Sequence, residues 1–129
     1  MELSRRIFLL LLLAIVLPCF ADPIDLSKRE SLSPKEAASL QQEVIFLDVR
    51  STLEWLWGHV EGAVHMPYKK VPRDFAAEFP DRSIPVIPYC AVGVRAQYVV
   101  EALRQQGYTV VPVVDGGYRE LIANGMKKE

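Results

Sequence analysis

The sequence predicts an α/β fold in which helices cover both faces of a parallel β-sheet. Short apolar runs alternate along the chain with segments of helical period, which is typical of parallel strands buried on both faces. Two of these runs lead directly into residues that can take part in chemistry, Asp48 and Cys90. With 129 residues, the chain has room for one domain.

Capping signals mark the first two predicted helices. Ser33-Pro34-Lys35-Glu36 has the form of a capping box with proline at the first helical position, and it predicts a helix that ends near Gln42. Ser51-Thr52-Leu53-Glu54 is a second capping box, which begins a short helix that carries Trp55. Three further helices are predicted over Pro72–Phe79, Val94–Gln106 and Tyr118–Ala123.

The predicted strands are apolar runs bounded by turn residues. They cover Val44–Leu47, Ala63–His65, Ile84–Tyr89 and Val110–Val114. Proline lacks the N–H group that a β-ladder needs and is disfavoured in central strands. Pro85, Pro88 and Pro112 therefore argue against an interior position for the last two strands.

The first 21 residues have the form of a secretory signal peptide. Arg5 and Arg6 precede the unbroken apolar run Ile7–Leu17, and Ala21 supplies a small residue at a cleavage point. The run is shorter than the stretch of about 20 residues that a membrane span needs. We expect cleavage after Ala21 and export to the periplasm. A twin-arginine route, lipidation at Cys19 and retention as an anchor stay open as alternatives.

Cleavage would leave a lead-in over residues 22–31, a domain over residues 32–125 and a tail over residues 126–129. The whole chain has 15 basic and 16 acidic residues; without Arg5, Arg6 and Glu2 it has 13 and 15, a formal charge of −2. This balance gives no electrostatic footprint for nucleic acid or an anionic membrane. We therefore expect no nucleic-acid partner and no stable membrane association after cleavage.

Cys90 would be the one cysteine of the mature chain, which excludes an internal disulfide and suggests a reactive thiol in an exported protein. It lies between a strand and a helix, where backbone N–H groups without intrahelical partners stabilise an anion. Gly93 allows the backbone to curl around the sulfur, and Arg95 adds a positive charge. A lone cysteine can also be a small buried hydrophobe, but the order strand, Cys, Gly, Arg, helix favours a reactive thiolate.

Three blocks of this sequence resemble the rhodanese-like sulfurtransferase family. They are Phe46–Arg50 with Glu54-Trp55 and Gly58–Pro67, then Tyr89–Ala96 with the Cys-x-x-Gly-x-Arg spacing, then Gly107–Val114 with Asp115-Gly116-Gly117. The blocks occur in the family's order and cover residues 32–125. The resemblance implies a parallel five-stranded sheet with helices on both faces. It places Pro88 and Pro112 in interior strands, where we expect them to shift or bulge the sheet.

The resemblance also implies an activity. Cys90 would take a sulfane sulfur from thiosulfate or another persulfide-type donor, hold it as a persulfide, and pass it to cyanide or a thiol acceptor, including a protein thiol. The backbone amides of the loop would bind the anionic sulfur and the donor; the loop residues are Ala91, Val92, Gly93, Val94 and Arg95. Related dual-specificity phosphatases have five residues between Cys and Arg, and this chain has four. The spacing therefore favours sulfur transfer.

Other roles stay open from the sequence. Arg95 either binds the anionic end of the donor or braces the loop, whereas Asp48 and Arg50 are interpreted as an ion pair that fixes loops. His59 and His65 are expected to hydrogen-bond turns, and one cysteine with two scattered histidines predicts no metal site. No cofactor is expected.

The alternative function is a non-catalytic or regulatory domain that carries sulfur or binds a partner. Cys90 favours an enzyme, because inactive members of the family often lack this residue. The active loop offers no cation except Arg95, since Ala91, Val92 and Val94 are apolar. We therefore expect weak use of thiosulfate and better use of less charged sulfane donors.

Overall fold

A computed structural model describes residues 22–129. A 3-10 turn at Leu26–Lys28 precedes β1 (Ser31–Leu32), α1 (Pro34–Ser39), β2 (Ile45–Asp48), α2 (Thr52–Leu56), β3 (Val64–His65), α3 (Val71–Glu78), β4 (Val86–Tyr89), α4 (Val94–Gln105), β5 (Val113–Val114) and α5 (Tyr118–Ala123). The predicted signal peptide, residues 1–21, lies outside the described residues. None of the helices within residues 22–129 has the length and hydropathy that a membrane crossing requires.

The α/β architecture with parallel strands is present, but the strands form two small sheets instead of one five-stranded sheet. One sheet has the order β3-β2-β4 and the other pairs β1 with β5. In the larger sheet, Ile45 lies opposite Val86 and Asp48 lies opposite Tyr89. The carboxyl ends of β2 and β4 therefore meet at one edge, and Cys90 follows β4 at this edge.

Two prolines explain why β4 and β5 do not form a regular ladder. Val86 donates its N–H to the carbonyl of Val110 at 3.0 Å, which shows that even-numbered residues of β4 present their backbone groups to β5. Val113 donates its N–H to Glu30 at 2.8 Å, on the β1 side, so even-numbered residues of β5 face β4. Pro88 and Pro112 both lie on the facing edges of β4 and β5, and neither has a backbone N–H to donate. The sequence predicts that these prolines shift or bulge the sheet, and in the structure they interrupt it between β4 and β5.

The core has two layers, one on each face of the sheets. Alternation along β2 sends Leu47 to one face and Phe46 to the other. The first layer packs against α3 and α4, and its largest members include Phe75, Val99 and Leu103. The second layer packs against α1 and α5, and it includes Leu32, Ile87, Tyr89 and Leu121. Helices therefore cover both faces, as the sequence predicts.

Several boundaries differ from the sequence prediction. Helix α1 ends at Ser39, short of Gln42, which has a left-handed φ of 96° that no helix continues. The lead-in contributes Ser31 to strand β1. The last residue pairs with the segment before β3: the N–H of His59 donates to the carbonyl of Glu129 and the N–H of Glu129 donates to the carbonyl of His59, each at 2.9 Å.

Candidate active site

The loop after β4 folds around the sulfur of Cys90. Gly93 adopts a left-handed φ of 97° and begins helix α4. This turn directs the N–H of Gly93 to Sγ of Cys90 at 3.0 Å, and the N–H of Ala96 lies 3.4 Å from the same atom. Cys90 is only 1 % exposed. The sulfur thus lies against backbone N–H groups at the N-terminal end of helix α4, where the helix dipole favours a bound negative charge.

The start of helix α5 packs against this loop through backbone contacts. The N–H of Tyr118 donates to the carbonyl of Cys90 at 2.8 Å. A Cβ added to Gly117 would lie 2.0 Å from the carbonyl oxygen of Ala91, so only glycine allows the two segments to approach this closely. The φ of Gly117 is −134°, a value open to any residue, and the requirement is therefore one of space. The third sequence block holds the active loop in place.

Arg95 forms an ion pair with a residue of helix α2. Its Nη1 and Nη2 atoms each lie 2.8 Å from an oxygen of the Glu54 carboxylate, a two-bond arrangement that leaves both groups partly exposed. The hydrogen bonds from Arg95 are the main reason that the pKa of Glu54 falls to about 2. The same partner raises the pKa of Arg95. Of the two roles predicted for Arg95, the geometry corresponds to bracing of the loop.

Asp48 and Arg50 form the ion pair that the sequence predicts. Nη2 of Arg50 lies 2.7 Å from Oδ2 of Asp48 and 2.7 Å from the carbonyl oxygen of Gly58. The hydroxyl of Tyr89 donates to Oδ2 of Asp48 at 2.7 Å, and burial is the first cause of the raised pKa of Tyr89. The guanidinium carbon of Arg50 lies 4.1 Å from the centre of the Tyr118 ring. This pair fixes loops around the site.

The two histidines flank Trp55 and bind backbone carbonyls. Nδ1 of His59 lies 2.9 Å from the carbonyl oxygen of Trp55, and Nε2 of His65 lies 2.9 Å from that of Arg50. The Trp55 ring stacks between the two imidazoles, with centroid separations of 3.4 Å and 4.7 Å. Trp57 is 91 % exposed and belongs to no core. Within residues 22–129, no group of three or more potential metal ligands is arranged to hold an ion.

A cleft of about 460 Å³ opens beside the active loop. It is lined by Arg50, Ala91, Val92, Tyr118, Arg119 and Glu120. Because Ala91 and Val92 directly follow Cys90, this cleft lies beside the active loop, on the side of helix α5. Its volume lies within the range of small-molecule sites, about 300–1,000 Å³.

The sequence did not indicate the contacts that three residues make in this site. Glu54 was explained by its capping box with Ser51, which is present, but it lies 41 residues from Arg95 and no local pattern links the two. In the sequence, Gly117 belongs to the third block and Tyr118 begins a predicted helix, and neither pattern indicates a contact with the loop. The motif was the available signal, because an unexplained Gly-Gly before a helix indicates close backbone approach.

The fold and the sequence can now be compared with known proteins. The family model of the rhodanese-like domain matches residues 33–124. A rhodanese with anions from E. coli has a TM-score of 0.59 and 32% identity, covering 66% of this chain and 95% of that one. A rhodanese-like domain protein from Staphylococcus aureus has a TM-score of 0.66 and 28% identity, with coverage of 76% and 96%.

Curated relatives include larger proteins with a different name. The tRNA uridine(34) hydroxylase of Chlamydia muridarum is 35% identical over 114 residues, which are 81% of this chain and 34% of the relative. The chain therefore spans about a third of the length of such relatives. The family match covers most of the described residues, and the resemblance drawn from the three sequence blocks is confirmed. The chain belongs to the rhodanese-like domain family.

Proposed function

We propose that the protein is a sulfurtransferase that moves a sulfane sulfur through a persulfide on Cys90. The observation that carries this proposal is the loop itself, in which the N–H groups of Gly93 and Ala96 lie 3.0 Å and 3.4 Å from Sγ. These donors stabilise negative charge on the sulfur before attack and on the persulfide afterwards. Membership of the rhodanese-like family supports the same chemistry.

The reaction divides into two displacements. In the first, the Cys90 thiolate attacks the outer sulfur of the donor, the bond to the remainder of the donor breaks, and that remainder leaves with the electron pair. In the second, cyanide or a thiolate attacks the sulfur held on Cys90 and regenerates the thiolate. Gly93 and Ala96 hold the sulfur during both steps, while the Arg95–Glu54 pair keeps the loop closed around it.

The partners in this proposal are a small-molecule sulfur donor and a thiophilic acceptor, which includes a thiol on another protein. Export to the periplasm is also part of the proposal, and the signal-peptide pattern of residues 1–21 supports it. A non-catalytic or regulatory domain that carries sulfur is the alternative. An intact cysteine in a formed loop favours catalysis over that alternative.

A second candidate function comes from the names of the chlamydial relatives. Their similarity over 81% of this chain favours a part in the modification of tRNA uridine. The formal net charge of −2 over residues 22–129, from 13 basic and 15 acidic residues, argues against it, because RNA binding depends largely on neutralising phosphates with lysine and arginine. Retardation of tRNA by the purified protein at physiological salt would support this second candidate.

Steady-state transfer of sulfur to cyanide tests the proposal. The purified full-length protein is incubated with cyanide and with thiosulfate or an organic persulfide, and thiocyanate is measured. We expect repeated turnovers, with activity lost in Cys90→Ser and kept in Cys19→Ser. Release of no more than one thiocyanate per protein chain would instead identify a sulfur carrier, and no release from any donor would contradict sulfur transfer.

A further inference from the structure

We propose that the natural donor is an organic persulfide of low charge, whose organic part occupies the cleft beside the loop, and that Glu54 is the residue that disfavours dianionic donors such as thiosulfate. This inference rests on the proposed sulfurtransferase function and narrows its substrate class. It follows from three features that surround Cys90: the pairing of the arginines, the apolar surface of the loop, and the size of the cleft.

Two arginines near the loop are each paired with a carboxylate. Arg95 makes two bonds of 2.8 Å to Glu54, and Arg50 makes a buried pair with Asp48. Arg119, the remaining arginine of the cleft, shares it with Glu120. A dianion that entered this region would meet little net positive charge, and it would have to compete with Glu54 for the guanidinium of Arg95.

The surface that a donor meets includes exposed apolar side chains. Val92 and Val94 are 78% and 73% exposed although both belong to the active loop. The ring of Tyr118 lines the cleft, and the guanidinium of Arg50 covers one side of it at 4.1 Å. Exposed valines beside a nucleophile favour an apolar group on the donor, because contact removes apolar surface from water.

The cleft has more room than an inorganic donor requires. Its volume of about 460 Å³ is suited to a molecule with an organic body, whereas thiosulfate has only five heavy atoms and would leave most of the space to water. Ala91 and Val92 line the cleft and directly follow Cys90, so an organic body placed there lies beside the loop that holds the sulfur. The cleft thus supplies a positioning surface for an organic donor.

The proposed step is balanced without a further reactant. The Cys90 thiolate attacks the terminal sulfur of R–S–SH, and the S–S bond of the donor breaks. The thiolate R–S⁻ leaves with the bonding electron pair, and the proton stays on the transferred sulfur. The products are Cys90–S–SH and R–S⁻, and the total charge is unchanged.

A donor series with one charge variant tests the inference. The donors are thiosulfate, methyl persulfide and benzyl persulfide, and kcat/KM for cyanide-dependent turnover is measured with the full-length protein. The variant Glu54→Gln removes the charge and keeps a side chain that can complete the capping box. Glu43→Gln is the matched control, because Glu43 is exposed and precedes β2, at the opposite edge of the sheet from Cys90.

We expect benzyl persulfide to exceed methyl persulfide by roughly tenfold in wild-type kcat/KM, since the ring buries apolar surface in the cleft, and both to exceed thiosulfate. Glu54→Gln should raise kcat/KM for thiosulfate relative to kcat/KM for the persulfides by roughly 5- to 30-fold. Glu43→Gln should change neither. A merely structural role for Glu54 would lower all donors together.

Other outcomes separate the two proposals. The donor class would be overturned if kcat/KM of the wild-type protein for thiosulfate equalled or exceeded the values for the persulfides. It would also be overturned if Glu54→Gln changed kcat/KM equally for all donors. The sulfurtransferase function would stand in both cases. Equal kcat/KM values for methyl persulfide and benzyl persulfide would overturn the proposed role of the cleft. If no donor places sulfur on Cys90, the proposed function itself fails, and the donor class fails with it.

Discussion

Two arginine–carboxylate pairs lie near the active cysteine, and they differ in nearly every physical respect. The Asp48–Arg50 pair is buried, with side-chain exposures of 0% and 5%. The Glu54–Arg95 pair is partly open to solvent, at 35% and 29%. Asp48 and Arg50 are two residues apart, whereas Glu54 and Arg95 are 41 residues apart and join two helices.

The difference separates a structural pair from an adjustable one. Breaking a buried pair strands a charge in a medium of low dielectric constant, so the fold depends on keeping both partners. Water screens the open pair, which therefore contributes little to stability and can be changed at small cost. Arg95 of the open pair is itself a residue of the active loop. We infer that the buried pair maintains the fold and that the open pair controls which anions approach Cys90.

The largest effect is expected from Asp48→Ala. This change leaves the Arg50 guanidinium buried and removes the acceptor of the Tyr89 hydroxyl. The free energy of unfolding should fall by about 3–5 kcal/mol, as measured by urea denaturation. A loss below about 1 kcal/mol would mean that the buried pair behaves like a surface pair. This result would contradict the distinction between the two pairs.

A smaller effect is expected from Tyr89→Phe. The hydroxyl of Tyr89 accepts the N–H of Val60 at 3.1 Å and donates to Asp48, and loss of the hydroxyl leaves both buried groups short of a partner. The expected loss is about 1–3 kcal/mol of unfolding free energy. Tyr68→Phe is a useful control, because Tyr68 is only partly buried. Equal losses in the two variants would contradict a special role for the buried network.

The open pair should matter least to stability. Glu54→Ala removes both the bonds to Arg95 and the capping-box bond to the N–H of Ser51. We expect a loss of about 1 kcal/mol, most of it from the cap. The comparison with Glu54→Gln, which keeps the cap, isolates the ion pair. A loss in Glu54→Gln as large as that of Asp48→Ala would show that the open pair is also structural.

Acid should remove the small contribution of the open pair to the free energy of unfolding. The folded-state pKa of Glu54 is about 2, depressed from an ordinary value of 4.5 by its bonds to Arg95. A depressed carboxyl pKa stabilises the fold fully above the unfolded value, and this stabilisation is lost as the pH falls towards the folded value. The difference in unfolding free energy between wild type and Glu54→Gln should therefore shrink as the pH falls from 4.5 towards 2. A constant difference would indicate an uncharged contribution.

The same contrast shows what the sequence could predict. Local signals located the two capping boxes, the Asp48–Arg50 pair, and the strand-loop-helix around Cys90, because the residues involved are neighbours in the chain. The Glu54–Arg95 pair could not be predicted in this way, since each residue already had a local explanation. The fold was predicted in its class and order, but the break between β4 and β5 depends on two prolines, Pro88 and Pro112, that meet only when the strands align.

The most direct test of the account is the mass of the intact protein after brief exposure to a persulfide donor and removal of the excess. The account predicts the addition of one sulfur atom, removed by cyanide, in wild type and in Cys19→Ser. It predicts no addition in Cys90→Ser, because the N–H groups of Gly93 and Ala96 are directed at the sulfur of Cys90. A cyanide-removable sulfur that persists in Cys90→Ser, or a wild-type protein that takes up none, would contradict it.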